Sequence, residues 1–124
     1  MNIKSQFDGK EREFGIASEH VDFIEGAWGL SLYAMLRRFT AGEWAFADVA
    51  NVLSFALHGP RDSDRMALSL RRAALRMGIA PPVFPYPPAD DVIAVLQRDG
   101  HGTYAELATA ILSSAVFGDG GSDG

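Results

Sequence analysis

The sequence contains no cysteine. That excludes disulfides, thiol catalysis and zinc sites built on cysteine, and it fits a reducing compartment. Long apolar runs are also missing: none approaches the roughly 20 residues that span a bilayer. The first residues, MNIKSQFDGK, have neither the apolar stretch of a signal peptide nor the arginine-rich pattern of a transit peptide. A soluble, cytoplasmic protein without membrane contact is the expectation. Positive charge is scarce too, with 11 Lys+Arg against 16 Asp+Glu and a net charge of −5. Phosphate contacts need clustered positive charge, so nucleic-acid binding is not the default reading.

The signatures of common chemistries are absent as well. There is no GxSxG elbow, no GxxxxGK[ST] loop and no GxGxxG. The three histidines, His20, His58 and His101, fall in different elements. None has a His or Glu partner at the helical spacing a metal would need, so surface or cap roles are expected. Asp90-Asp91 opens a helix, where the macrodipole accounts for paired carboxylates. The tail GDGGSDG has residues common in calcium-binding turns but neither the EF-hand register nor its closing Glu; a disordered tail over 119–124 is expected. These absences point to a protein with no catalytic site, metal or cofactor, which works by binding other proteins.

What is present supports a core. Hydrophobic residues make up 48% of 124, enough for one domain over residues 1–118. The fold class expected is α+β, mainly α: an N-terminal β-hairpin packed on five or six short helices. Residues 2–17 read as the hairpin, with Asp8-Gly9 at its turn. A helix over about 19–28 follows, with Ser18 as its N-cap and an apolar face of Val21, Ile24 and Trp28. Leu32, Met35, Leu36 and Phe39 match the i, i+3, i+4, i+7 template for a helix over 31–40. A third runs over 46–58 with Phe46, Val49, Leu53 and Ala56 inward, closed by Gly59-Pro60. A fourth covers 63–77 and a fifth 89–97, opened by Pro88. The sixth, over 103–117, starts at a capping box of Thr103 and Glu106.

The fourth helix is the unusual element. At about 100° per residue, Met66, Leu70, Ala73 and Met77 share one face, and Arg65, Arg72 and Arg76 form a stripe beside it. Leu68 and Leu75 then fall on a second apolar face. Such a helix can pack on its own core with one face and on a partner with the other, which makes Arg65, Leu68, Arg72, Leu75 and Arg76 the candidate partner-binding residues. Alternatively both faces are internal and the arginines reach past them to solvent. Residues 37–76 hold seven arginines against four acids, so self-association through complementary charge is a further possibility. The proline-rich PPVFPYPP over 81–88 reads as a stiff connector that tucks Phe84 and Tyr86 against the core, or as a polyproline ligand.

Several of these features occur together in one known setting. Phe23-Ile24-Glu25-Gly26-Ala27-Trp28-Gly29 is followed by Leu32, Leu36, Phe39 and Gly42. Asp48-Val49 then opens a helix with Leu53, Leu57 and Gly59, and ATAILSSAVFG closes the last. The pattern resembles the small tail proteins of gene transfer agents and siphophage-like particles, described as tail assembly chaperones, over about residues 5–59 and 103–118. Its motif positions are Glu25, Gly29, Gly42, Asp48 and Val49. Two departures stand out: residues 60–102 look like an insertion, and Ala45 stands where Ser or Thr is common. The resemblance implies a prophage-type, non-enzymatic role in virion assembly, with the tape-measure protein, the tail-tube protein or both as partners. A structural tail-tube or terminator component is the alternative, although that class is expected to carry more β structure than one hairpin. A helical nucleic-acid-binding or regulatory adaptor using Arg65, Arg72 and Arg76 is the other.

Overall fold

Asp8 and Gly9 both adopt positive φ, 57° and 74°, as a two-residue hairpin turn requires. They join β1 (Ile3–Phe7) to β2 (Lys10–Phe14), antiparallel, with Phe7 opposite Lys10 and Ile3 opposite Phe14. The computed structural model describes residues 2–79 and 88–118. One side of the hairpin is polar and exposed at Lys4, Gln6, Glu11 and Glu13. The other buries Phe7 and Phe14, whose rings meet edge to face with centroids 5.5 Å apart. A lone hairpin is marginal in water; these two rings and a bond from the Gly15 N–H to the Ala56 carbonyl (3.0 Å) attach it to the helices.

Six α-helices follow among the described residues: α1 (Val21–Trp28), α2 (Leu32–Thr40), α3 (Phe46–His58), α4 (Asp62–Arg76), α5 (Asp90–Asp99) and α6 (Ala105–Phe117). The α+β, mainly helical class read from the sequence is the one observed. The start of α2 is capped by Ser31, whose Oγ accepts the Ala34 N–H at 3.0 Å. Two other helix starts differ from expectation. Ser18 caps nothing; it opens a 3₁₀ turn that carries the chain into α1. Thr103 does not form a capping box with Glu106. It sits in a 3₁₀ turn over His101–Tyr104, and its hydroxyl donates to the Asp99 carbonyl at 3.0 Å, completing the end of α5 instead. Both sites lie where one element runs into the next, and at Thr103 the side chain serves the preceding carbonyl. The expectations for Phe84 and Tyr86 and for the tail over 119–124 fall outside the described residues.

The hub is α3. Its spacing predicts one inward face, yet Asp48, Val49, Ala50, Val52, Leu53, Ser54, Phe55 and Ala56 are all buried. The reason is position: β2, α5 and α6 surround it. The small side chains of Ala50, Ser54 and Ala56 let those neighbours approach. The contiguous core draws on the hairpin and on α1, α2, α3, α5 and α6. The remaining helix, α4, contributes Ala67, Leu68 and Ala74 to a separate contact whose main neighbour is α1.

Gly26 lies in α1 at this seam. A Cβ there would meet the Leu68 methyls at 3.8 Å and Arg72 Nη2 at 3.6 Å, which is ordinary contact. Gly26→Ala is therefore expected to stabilise the protein by about 1 kcal/mol, the helix-propensity difference. Thermal melting followed by circular dichroism should show a rise of about 4 °C; a fall would mean that the seam tolerates no added methyl.

Charge ties the hairpin turn to α5. Arg98 reaches Asp8 at 2.8 Å and Asp99 at 2.9 Å, and the Tyr104 hydroxyl donates to Asp99 at 2.6 Å. The hydrogen bonds from Arg98 and then Tyr104 hold the Asp99 carboxyl down to about 2. Burial, then the bond to Asp99, pushes the Tyr104 phenol up to about 12. The signs follow from linkage. The Asp99 contribution is complete above its ordinary value of 3.8 and is lost as pH falls through about 2. The Tyr104 contribution is complete below 10 and is lost as pH rises through about 12. Phenolate absorbance should show a step near pH 12 that Tyr104→Phe removes. A phenol step wholly near pH 10 would contradict the bond.

Candidate docking surface

Of the five positions singled out in the sequence, Glu25, Gly29, Gly42 and Asp48 build corners and Val49 builds core. Glu25 Oε2 accepts the Leu32 N–H at 2.7 Å, placing a carboxylate on the open N-terminus of α2. Gly29 and Gly42, with φ of 74° and 73°, reverse the chain after α1 and α2 in the left-handed region that side chains disfavour. Asp48, third in α3, accepts the Ala45 N–H at 2.8 Å and Arg38 Nη1 at 3.1 Å. Ala45 has no acceptor side chain, so only the carboxylate half of a capping box forms. Asp64 repeats the device at α4, taking the Arg61 N–H and Nε, each at 3.0 Å, while only 2% exposed. Val49 is fully buried. Together these positions fold α1, α2 and the start of α3 into a unit.

The histidines are spread apart. His58 Nε2 meets Asp91 at 2.9 Å, joining the C-terminus of α3 to the first turn of α5. The Asp90-Asp91 pair thus has a tertiary partner as well as a helix dipole. His101 is flanked edge-on by Trp44 and Phe46, at 5.6 and 5.3 Å between centroids. His20 lies beside Gly59. Among the described residues no three His, Asp or Glu side chains gather as a metal would need. A cleft of about 310 Å³ between the hairpin and α6 is lined by Asn2, Phe14, Ile16, Ile111 and Ser114 among others, with no titratable side chain. No described helix is long and apolar enough to cross a membrane.

The surface left over is on α4 and the turn that follows it. Among the described residues seven large hydrophobics are exposed, and five of them are Met66, Leu70, Leu75, Met77 and Ile79. Met66 and Met77 are 66% and 73% exposed. Here the structure corrects the sequence reading. Leu68, expected on a partner-binding face, is only 5% exposed and packs towards Gly26 of α1. Leu75, predicted to share its face, is 55% exposed. Arg65, Arg72 and Arg76 are exposed. Arg65 lies over the Phe23 ring, 5.6 Å from its centroid.

The described residues thus define a small helical protein whose caps and ion pairs serve the fold and whose outermost helix presents apolar surface. The chain belongs to the family described as "Phage tail tube protein, GTA-gp10", whose sequence profile matches residues 2–97. That places it among phage and gene-transfer-agent tail proteins. The extent of the match differs from the stretches over which the resemblance was expected. The matched stretch includes residues 60–97, set apart in the sequence reading, whereas α6, where the resemblance was expected to resume, lies beyond it. No curated protein and no solved structure matches the chain.

Proposed function

We propose that the protein is a non-enzymatic tail assembly chaperone which holds the tape-measure protein through the outer face of α4. The observation that carries this is the concentration of exposed large hydrophobics at Met66, Leu70, Met77 and Ile79. Side chains of this kind are costly to leave in water and mark partner contacts when clustered. Methionine is flexible and adapts to irregular apolar partners, which suits a protein that must cover many segments of one long helix. The acidic balance of the whole chain favours solubility of such a complex. The test is co-expression with the tape-measure protein from the same gene cluster. The soluble fraction of that protein should rise, and the two should co-purify. Unchanged solubility would sink the proposal.

The family description supports a second reading, a tail-tube subunit that polymerises. Sizing over a concentration series separates the two. A chaperone stays a small species, whereas a tube component assembles into rings or tubes.

A further inference from the structure

The exposed side of α4 carries two rows. At about 100° per residue, Met66, Leu70 and Met77 line one edge, and Arg65, Arg72 and Arg76 line the other, roughly 110° round the helix. The small side chains of Ser69 and Ala73 lie between them. Among the described residues none of these three arginines makes an ion pair; the arginines so engaged are Arg38, Arg61 and Arg98. Of the acids on α4, Asp64 is turned inward and held by Arg61, which leaves Asp62 alone at the surface. Among the described residues, a chain of net charge −5 thus keeps a basic row without ion pairs, with Arg65 leaning on Phe23 and Arg72 near Gly26, beside an exposed apolar row.

We propose that α4 docks an acidic amphipathic helix of another protein. The apolar stripe of that helix covers Met66, Leu70 and Met77, and its carboxylates meet Arg65, Arg72 and Arg76. This rests on the reading of α4 as the docking surface and adds the partner's charge and secondary structure. Arg65, Arg72 and Arg76 stand about 10 and 6 Å apart along the axis, at roughly 1.5 Å per residue. A helix laid alongside repeats those intervals with carboxylates on one stripe. Ser69 and Ala73 form a shallow track between the rows, which lets two helix axes approach to about 8 Å. Guanidinium groups take carboxylates in a fork that lysine lacks.

The arrangement disfavours the other anionic partners. A helix lying on a membrane carries cations on both borders of its apolar face; α4 exposes three arginines on one border, while on the other Ala67 and Ala74 are buried and the single Arg71 is half-buried. Nucleic acid would use the arginines but leave the apolar row in water.

The test uses the full chain and a synthetic helical peptide of about 20 residues, long enough to hold helix when bound. The peptide carries a leucine stripe bordered on one side by glutamates at the arginine spacing. Its twin has glutamine at those positions. Fluorescence anisotropy should show the glutamate peptide binding about tenfold tighter at low salt, the sum of three exposed ion pairs. That advantage should disappear in about 0.5 M salt and in the triple variant Arg65→Gln, Arg72→Gln, Arg76→Gln. The salt and twin comparisons need no variant, so they decide the matter even if the triple variant folds poorly. Equal affinity for the two peptides overturns the acidic partner; if both are then lost in Met66→Ser with Leu70→Ser, apolar docking and the proposed function stand. Binding of neither peptide overturns the helical partner, and co-purification of the tape measure then judges the function separately. Arginine-dependent binding to phosphatidylglycerol vesicles or duplex DNA that exceeds peptide binding overturns the proposal in favour of lipid or nucleic acid. Self-association that is lost in the serine variant overturns it in favour of a second copy of this chain.

Discussion

Met66→Ser together with Leu70→Ser is expected to leave the protein folded and to abolish its hold on the tape measure. Both side chains face solvent, at 66% and 48% exposure, so the free protein loses little packing. The helix-propensity cost is about 0.5 kcal/mol for each, which shifts the melting temperature by only a few degrees. In the docked state the same change removes two central apolar contacts. Burying a Met or Leu side chain contributes about 1.5–3 kcal/mol, so partial burial of two gives roughly 3 kcal/mol, or on the order of 100-fold in affinity. Co-purification of the tape measure should therefore fall to background while the melting curve hardly moves. Gln6→Ser, on the exposed side of the hairpin, is the control and should change neither. Undiminished co-purification by the double variant would mean that the tape measure docks elsewhere.

Leu53→Ala should do the opposite, acting on the fold and not on the surface. Leu53 is fully buried in α3, with β2, α5 and α6 around that helix. A leucine truncated in such a place costs about 2–5 kcal/mol, because close neighbours on several sides cannot collapse into the space. Small domains have about 5–15 kcal/mol in total. The melting temperature should fall by on the order of 10–20 °C, with a matching drop in the urea midpoint. Leu75→Ala, exposed on the helix with the thinner contact, should shift it by little. A small loss at Leu53 would show that α3 is less enclosed than its burial indicates.

The two variants mark where sequence reasoning works and where it stops. The hairpin, the bounds of α3 and the glycine stops after α1 and α2 are legible because their causes act within a few residues. Positive φ at Asp8-Gly9 sets a turn whatever surrounds it, and Gly29 or Gly42 ends a helix by local sterics. What Glu25 and Asp48 do was not legible in the same way. That Glu25 serves the start of α2 and Asp48 joins Arg38 to Ala45 depends on how consecutive helices meet.

By itself, then, the sequence determined a mainly helical chain with an N-terminal hairpin, a fourth helix of unusual pattern and no recognised catalytic motif. Only the tertiary structure decided which side of that helix faces outward. Leu68 and Met66 are equally eligible for burial by hydropathy, and helical periodicity cannot rank two apolar rows on one helix. The position of α1 breaks the tie: Gly26 leaves room for Leu68 to approach, and Met66, Leu70 and Met77 are turned to solvent beside Arg65, Arg72 and Arg76.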